Sequence, residues 1–178
     1  EGCASAHYWG RELMKLGHDV RLMPPAYVKP YVKRGKTDAA DAEAICEAVT
    51  RPTMRFVAVK SPEQQAVLML HKTRDLLVRQ RTGLINALRA HLGEYGIISS
   101  KGLGGVTTLV KLVHEAQDLV PAHARSALHT IAAQLRALAG EIERLETQIV
   151  AWHRNDDASR RLATIPGIGP ITASAIAA

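Results

Sequence analysis

The chain has 178 residues, enough to bury a hydrophobic core in one or two domains, and its net charge of +6 suggests a polyanionic partner. With one Phe, two Trp and four Tyr, it is poorly suited to be a stacking platform for single strands. Cys3 and Cys46 are too few for a zinc knuckle or a disulfide framework, so we interpret both as reduced, small, buried residues. No run reaches the roughly 18 apolar residues of a membrane span, and the first residues do not resemble a signal peptide. We therefore expect a cytoplasmic protein.

The first sixty residues alternate between helix and strand patterns. In chain order we predict an amphipathic helix over 5–16 closed by Gly17, a strand over 20–23 ended by Pro24 and Pro25, a short helix over 26–32, a helix over 38–49 and a strand over 55–59. This alternation argues for a small α/β layer.

Beyond Ser61 the pattern is helical, and no convincing strand follows. Ser61, Pro62 and Glu63 predict a helix start, with a serine cap, proline at the first helical position and an acidic first turn. This helix can run to Leu92. A Gly/Ser-rich linker over 99–105 leads to a shorter helix over 106–115, and a third long helix begins after Pro121.

The third long helix carries an apolar seam whose steps alternate between three and four residues. The seam consists of Leu128, Ile131, Leu135, Leu138, Ile142, Leu145, Ile149 and Trp152. A coiled coil requires this spacing. It predicts an internal hairpin with the 61–92 helix or a dimerisation arm, and the two can coexist.

Two carboxylates, Asp38 and Asp41, lie one helical turn apart at the start of the 38–49 helix. They directly follow a basic run that contains Lys29, Lys33, Arg34 and Lys36. Acids on one helix face beside clustered cations suit a Mg²⁺-dependent nucleic-acid site, in which the cations steer the phosphate backbone. Alternatively, Asp38 is an N-cap, Asp41 is an acid facing the positive end of the helix dipole, and the basic run is a solvated face.

A second pattern, Ile165-Pro-Gly-Ile-Gly-Pro170, lies between two predicted short helices. Gly167 and Gly169 permit a tight turn whose backbone can approach a ligand closely, and its N–H groups would face phosphate. Ile168 would fix the turn by packing into the core. The pattern resembles the helix-hairpin-helix of DNA repair and recombination proteins; a turn used only for packing is the alternative.

Taken together, the motifs resemble the DEDD-type insertion-sequence transposases over essentially the whole chain and in family order. The matching segments are Glu1-Gly-Cys-Ala-Ser-Ala-His-Tyr-Trp9, residues 28–45 and residues 165–170. The resemblance implies a mainly α chain with a small α/β part. It implies a partial RNase H-like (RuvC-like) domain over 1–60, a coiled-coil helical region over 61–154, and the start of a helix-hairpin-helix transposase domain over 155–178.

The resemblance also implies site residues. Glu1 looks like the catalytic Glu of the family, and Asp38 and Asp41 like its last two Asp residues, which together would hold Mg²⁺ or Mn²⁺. The family's first Asp would precede Glu1 and its catalytic Ser would follow residue 178, so we expect this fragment to be inactive alone. Ser174 is then a packing or helix-surface residue rather than the nucleophile.

For function, the resemblance implies an enzyme that cuts and rejoins DNA to move an insertion element. DNA is the implied substrate, a guide RNA transcribed from the element is a further implied partner, and the coiled coil would form a homo-oligomer. Such an enzyme would act in the bacterial cytoplasm, at the nucleoid. Two alternatives stay open: a RuvC-like metal-dependent nuclease or junction resolvase without strand transfer, and a non-catalytic DNA-binding coiled-coil scaffold.

Overall fold

The structure is a computed structural model that describes residues 2–33, 35, 37–99 and 105–178. Its α-helices in these ranges are α1 (Ala6–Lys15), α2 (Pro25–Val28), α3 (Asp38–Val49), α4 (Pro62–Gly93), α5 (Gly105–Glu115), α6 (Ala122–Asn155), α7 (Asp157–Leu162) and α8 (Pro170–Ala177). Short 3-10 turns, Lys29–Tyr31 and Ala116–Asp118, follow α2 and α5. The prediction of a mainly α chain is confirmed. Within the described ranges, none of the helices is long and apolar enough to span a membrane.

The end of α1 shows how local sequence sets a helix boundary. Gly17 adopts a φ of +87°, which is accessible to glycine at little cost. Its N–H donates to the carbonyl of Met14 at 3.0 Å, and the N–H of His18 donates to the carbonyl of Leu13 at 3.1 Å. These two bonds form a Schellman motif, so Gly17 stops the helix as predicted.

The start of α4 is a reciprocal capping box. The hydroxyl of Ser61 accepts the N–H of Gln64 at 3.2 Å, and the side-chain oxygen of Gln64 accepts the N–H of Ser61 at 3.0 Å. Two N–H groups that the helix leaves unpaired are thereby satisfied. The predicted start is confirmed, and the helix ends one residue after the predicted Leu92.

The two predicted strands, over 20–23 and 55–59, are wrong. In the described part of the chain they form a single isolated antiparallel bridge between Leu22 and Val57, in which the N–H of Val57 donates to the carbonyl of Leu22 at 2.7 Å. Two short segments without a third strand are marginally stable as a sheet. Pro24 and Pro25 also end the pairing, because proline has no N–H to donate and Pro25 begins α2.

The prediction for the two cysteines is half right. Cys3 and Cys46 are free thiols, but both are exposed rather than buried. Cys46 lies between Ala44 and Ala48, which face the core of the first unit from α3, so it falls on the opposite face of that helix.

The chain forms two compact units, one ending at Gln65 and the other comprising Ala66–Ala178. The buried core of the first unit is small: Met23, Val28, Ala44 and Ala48. That of the second is a larger apolar cluster from three helices, which includes Leu88, Leu92, Leu109, Val113, Leu128, Ala132 and Leu135. The three-part division suggested by the sequence stays a prediction.

The seam of α6 is packed largely within the chain itself. Its buried members are Leu128, Leu135, Ile142, Leu145 and Ile149, whereas Ile131, Leu138 and Trp152 are half-buried. Arg74 of α4 donates from Nε to Glu146 of α6 at 2.8 Å. Since Leu88 and Leu92 near the other end of α4 join the cluster around Leu128, α4 and α6 run antiparallel. The structure therefore contains the internal hairpin.

Candidate metal and nucleic-acid sites

The first turn of α3 is capped by a hydroxyl rather than by a carboxylate. Thr37 is the N-cap, and its Oγ1 accepts the N–H of Ala40 at 3.2 Å. Asp38 is therefore the first helical residue, and the alternative that Asp38 is the N-cap is wrong. Asp41 stays in the first turn, where the helix dipole favours a negative charge.

The side chains of Asp38 and Asp41 are both exposed. Neither forms a hydrogen bond or an ion pair with any residue that the structure describes. They lie on one face of α3, because residues three apart on a helix are neighbours. Two adjacent carboxylates are thus available to a cation from solvent.

Among the basic residues that the structure describes, Lys33 is the nearest in sequence to Asp38 and Asp41. Its side chain pairs with Glu43 rather than with either of these acids. Its Nζ donates to Oε1 of Glu43 at 2.7 Å. This hydrogen bond raises the pKa of Lys33 and lowers the pKa of Glu43. The pair is exposed, so salt screens it and a phosphate group can replace Glu43.

Several residues of the predicted site lie outside the described residues: Glu1, Arg34 and Lys36. Lys29 is exposed in the 3-10 turn after α2. Among the described residues, no three His, Cys, Asp or Glu side chains come together as a metal site. The structure therefore describes two residues of the predicted set, Asp38 and Asp41, and the metal role of all three acids stays a prediction.

The second candidate site is the turn between α7 and α8. Gly167 has a φ of +87°, and the N–H of Ile168 donates to the carbonyl of Ile165 at 3.0 Å. Gly169 is the N-cap of α8, with extended backbone at φ −82° and ψ 173°. A Cβ at either glycine would meet no atom within 4 Å, so the turn is open to a ligand. Ile168 is half-buried, as expected of a residue that fixes the turn.

Donors are available along this turn. Among the described residues, the N–H groups of Gly167 and Gly169 have no backbone acceptor. Pro170 begins α8, so the next free donors are the N–H groups of Ile171 and Thr172, which a helix start leaves unpaired. Such N–H groups at a helix start favour an anion.

The α7 helix is held on α6 by a short polar network. Asp156 caps α7 by accepting the N–H of Ser159 at 2.7 Å, and the buried hydroxyl of Ser159 lies 2.7 Å from Nδ1 of His153. One exposed residue of α7, Arg161, was missed by the sequence analysis. It has no ion-pair partner among the described residues, so a phosphate contact is open to it. The signal in the sequence that could have identified Arg161 is its position as a cation in the helix just before the glycine turn.

Ser174 is fully buried, so the interpretation of this residue as packing is confirmed. Its hydroxyl donates to the carbonyl of Pro170 at 2.7 Å and lies 3.2 Å from Nε2 of His71 in α4. Burial, together with the neighbouring charge of Arg74, lowers the pKa of His71. A neutral imidazole and a buried hydroxyl therefore join α8 to α4.

Curated transposases are similar in sequence to this chain over nearly its whole length. A probable family 20 transposase of Pseudomonas aeruginosa is 51% identical over 180 residues, which cover 100% of this chain and 53% of that protein. The putative transposase y4pF/y4sB of Sinorhizobium fredii is 46% identical, over 98% of this chain and 45% of the relative. The transposase for insertion sequence element IS1328 of Yersinia enterocolitica is 40% identical, over 99% and 52%.

This chain thus spans about half the length of the curated relatives that it matches. No solved structure matches it. A family model described as a transposase, of the DEDD type typified by IS110, matches residues 3–97, which is more than half of the chain. That segment contains the acids of α3 and the basic run before them, and on this match the chain belongs to the DEDD-type transposase family of insertion sequences.

Proposed function

We propose that this chain is the part of an insertion-sequence transposase that supplies carboxylates for metal-dependent DNA cleavage and strand transfer, together with DNA-binding surfaces. The observation that carries the proposal is the pair Asp38 and Asp41, exposed on one helix face and without a partner among the described residues. Membership of the transposase family supports the reaction class. We further propose that residues 1–60 are part of a RuvC-like domain and that α7 and α8 are a helix-hairpin-helix.

The donors on α3 fit a hard divalent cation. Carboxylate oxygens are the ligands that Mg²⁺ prefers, and Mn²⁺ accepts the same set. Asp38 and Asp41, with Glu1, would hold the ion, which supplies neutralisation of phosphate charge and polarisation of the reacting oxygen. Thr37 keeps the two acids at the start of the helix, because its hydroxyl and not a carboxylate makes the cap.

DNA would be held at two surfaces by contacts to its backbone. Lys29 and Lys33, with Arg34 and Lys36, would contact phosphates next to the acids. The N–H groups of Gly167 and Gly169 and those at the start of α8 would contact phosphates at the turn, whereas the N–H of Ile168 is already bonded to the carbonyl of Ile165. Contacts of both kinds position DNA without specifying its sequence. A guide RNA as a second partner and action at the nucleoid remain part of the proposal on family grounds.

A homo-oligomer through the α6 seam is a further element of the proposal. Leu138 and Trp152 remain half-buried, which leaves apolar area for a second copy. Leu138→Asp should therefore shift the chain to a smaller species on a sizing column. Leu145→Asp is a poor test, because Leu145 is only 4% exposed and its loss would disturb the internal hairpin. An unchanged elution volume for Leu138→Asp would contradict the dimerisation arm.

The metal proposal is tested by titration calorimetry with Mg²⁺ and Mn²⁺. The double variant Asp38→Asn and Asp41→Asn should lose ion uptake while it keeps its helical circular dichroism, since Thr37 still caps α3. Asp118→Asn, at an exposed acid without an ion-pair partner in the described part of the chain, is the matched control and should retain uptake. Equal uptake by wild type and double variant would contradict the proposal and favour a non-catalytic DNA-binding scaffold.

A further inference from the structure

An open cavity of about 310 Å³ lies in the first unit. Tyr27, Pro30 and Tyr31 line it from α2 and the following 3-10 turn, and Met54 and Arg55 line it from the segment after α3. The lining is thus two aromatic rings, a proline, a thioether and a guanidinium. Neither the carboxylates nor the glycine turn explains this combination.

The two tyrosines differ in how they are held. Tyr31 is half-buried against the core around Ala44 and Ala48, and the guanidinium of Arg51 lies 5.5 Å from its ring centroid. Its position is therefore fixed on both sides. Tyr27 is 50% exposed, so a large part of it is left without protein contact. Exposed aromatic area beside a fixed ring and a cation is the arrangement on which bases stack.

The charge around the cavity suits an anionic ligand. Arg55 is exposed, and among the described residues it has no hydrogen-bond or ion-pair partner. No acidic side chain is among the described residues that line the cavity. Lys29, in the same 3-10 turn as Tyr31, adds a second exposed cation. A ligand with a flat ring and a neighbouring phosphate matches these groups.

We propose that this cavity binds one unstacked base of a single-stranded nucleic acid, with the exposed ring of Tyr27 against the base and Arg55 on an adjacent phosphate. A volume of about 310 Å³ is at the lower end for small-molecule pockets, so it suits a single base rather than a run of bases. The low aromatic content of the chain argues against an extended stacking platform, but one base requires only the rings present here. This inference rests on the proposed nucleic-acid function.

The cavity is separate from the carboxylate pair. Asp38 begins α3, whereas Met54 and Arg55 follow the other end of that 12-residue helix. At the α-helical rise, the two ends of α3 are about 17 Å apart along its axis. Neither acid lines the cavity, so a base held there would have a positioning role.

The experiment is fluorescence anisotropy with labelled oligonucleotides: single-stranded DNA, single-stranded RNA of the same sequence, the DNA duplex, and a single strand with abasic sites. Tyr27→Ala should weaken single-strand binding by about five- to a hundredfold, the range of one base–aromatic stack. It should leave duplex and abasic binding unchanged. Tyr27→Phe should bind like wild type because the ring is retained. If Tyr27→Ala weakens binding only to single-stranded DNA or only to single-stranded RNA, that result identifies which nucleic acid the cavity binds.

Two further variants separate stacking from other effects. Tyr8→Ala removes a tyrosine of matched exposure, 52%, from α1 and should leave binding unchanged. Arg55→Gln should reduce the salt slope of single-strand binding by about one. If Tyr27→Ala does not alter binding, or if it weakens binding to abasic strands equally, the proposal of a base pocket is overturned. The proposed function would not be affected by that result. Failure of the wild type to bind any nucleic acid would overturn the proposed function as well.

Discussion

The two units of the chain differ in the size and composition of their buried apolar clusters. In the second, leucines and valines from α4, α5 and α6 form one buried cluster. In the first, the buried cluster has four residues, two of them alanines. Because buried apolar area drives folding, we infer that the second unit contributes most of the stability.

The same contrast holds for polar groups. In the second unit, buried or half-buried polar side chains join helices, as Arg74 joins Glu146 and His71 joins Ser174. The first unit also has part-buried bonds, from Arg11 to the carbonyl of Lys60 and from the N–H of Lys60 to His7. Its side chains of Asp38, Asp41 and Arg55, however, have no such partners among the described residues. Groups that stabilise no protein contact are the ones available to ligands. The comparison therefore associates stability with the second unit and ligand chemistry with the first.

The largest expected effect tests where the stability is located. Leu135→Ala removes a fully buried side chain from the α6 cluster and should lower the free energy of unfolding by about 2–5 kcal/mol. Leu119→Ala, at a leucine that is 69% exposed, is the control and should change it little. The measurement is urea unfolding followed by circular dichroism. A loss below about 1 kcal/mol for Leu135→Ala would break the comparison.

A smaller effect tests the glycine turn between α7 and α8, a proposed ligand site that lies in the second unit rather than in the first. Gly167→Val should cost about 1–2 kcal/mol, because φ is +87° and a β-branched side chain is strained there. Gly169→Val should cost little stability, because its backbone is already extended. Both variants should weaken duplex binding in a salt titration by blocking the approach of phosphate. Unchanged DNA affinity of folded Gly169→Val would remove the phosphate role of the turn.

The smallest effect is a pH dependence that arises from His71 in the second unit. The pKa of His71 is lowered in the folded chain, so the unfolded chain binds more protons as pH falls below the ordinary histidine value of about 6.5. The stability that His71 contributes is present above that pH and is lost as pH falls through the lowered pKa. His71→Gln should flatten the decline in Tm below pH 6.5. Identical Tm profiles for wild type and His71→Gln would contradict this role.

Helices were predictable from this sequence because their signals are local. Ser61 with Gln64 starts α4, Gly17 ends α1, and the spacing of the α6 seam identifies its buried face. The strands were not predictable in this way, because alternating apolar residues indicate only that a segment is able to pair in a sheet, not that it does. The bridge at Leu22 and Val57 is all that forms in the described residues, and whether a segment becomes a strand depends on neighbours that local sequence does not specify.

The candidate sites were predictable to a similar extent. The i, i+3 spacing of Asp38 and Asp41 and the Gly167–Gly169 turn can be read directly from the sequence, and the structure shows that the two acids and the two glycines are exposed. The role of Thr37 as cap and the pairing of Lys33 with Glu43 could not be read in advance. The cavity of Tyr27 and Arg55 joins segments more than twenty residues apart in sequence, so only the fold brings it together.

The neutral cap on α3 has a consequence for how such a protein fails. Because Thr37 secures the helix start, loss of the charges at Asp38 and Asp41 leaves the local architecture intact. Under the proposed function, a copy with inert acids would still fold and would keep the proposed contacts to DNA phosphates. The same proposal then predicts that such a copy would compete with a working copy for DNA rather than be lost through misfolding.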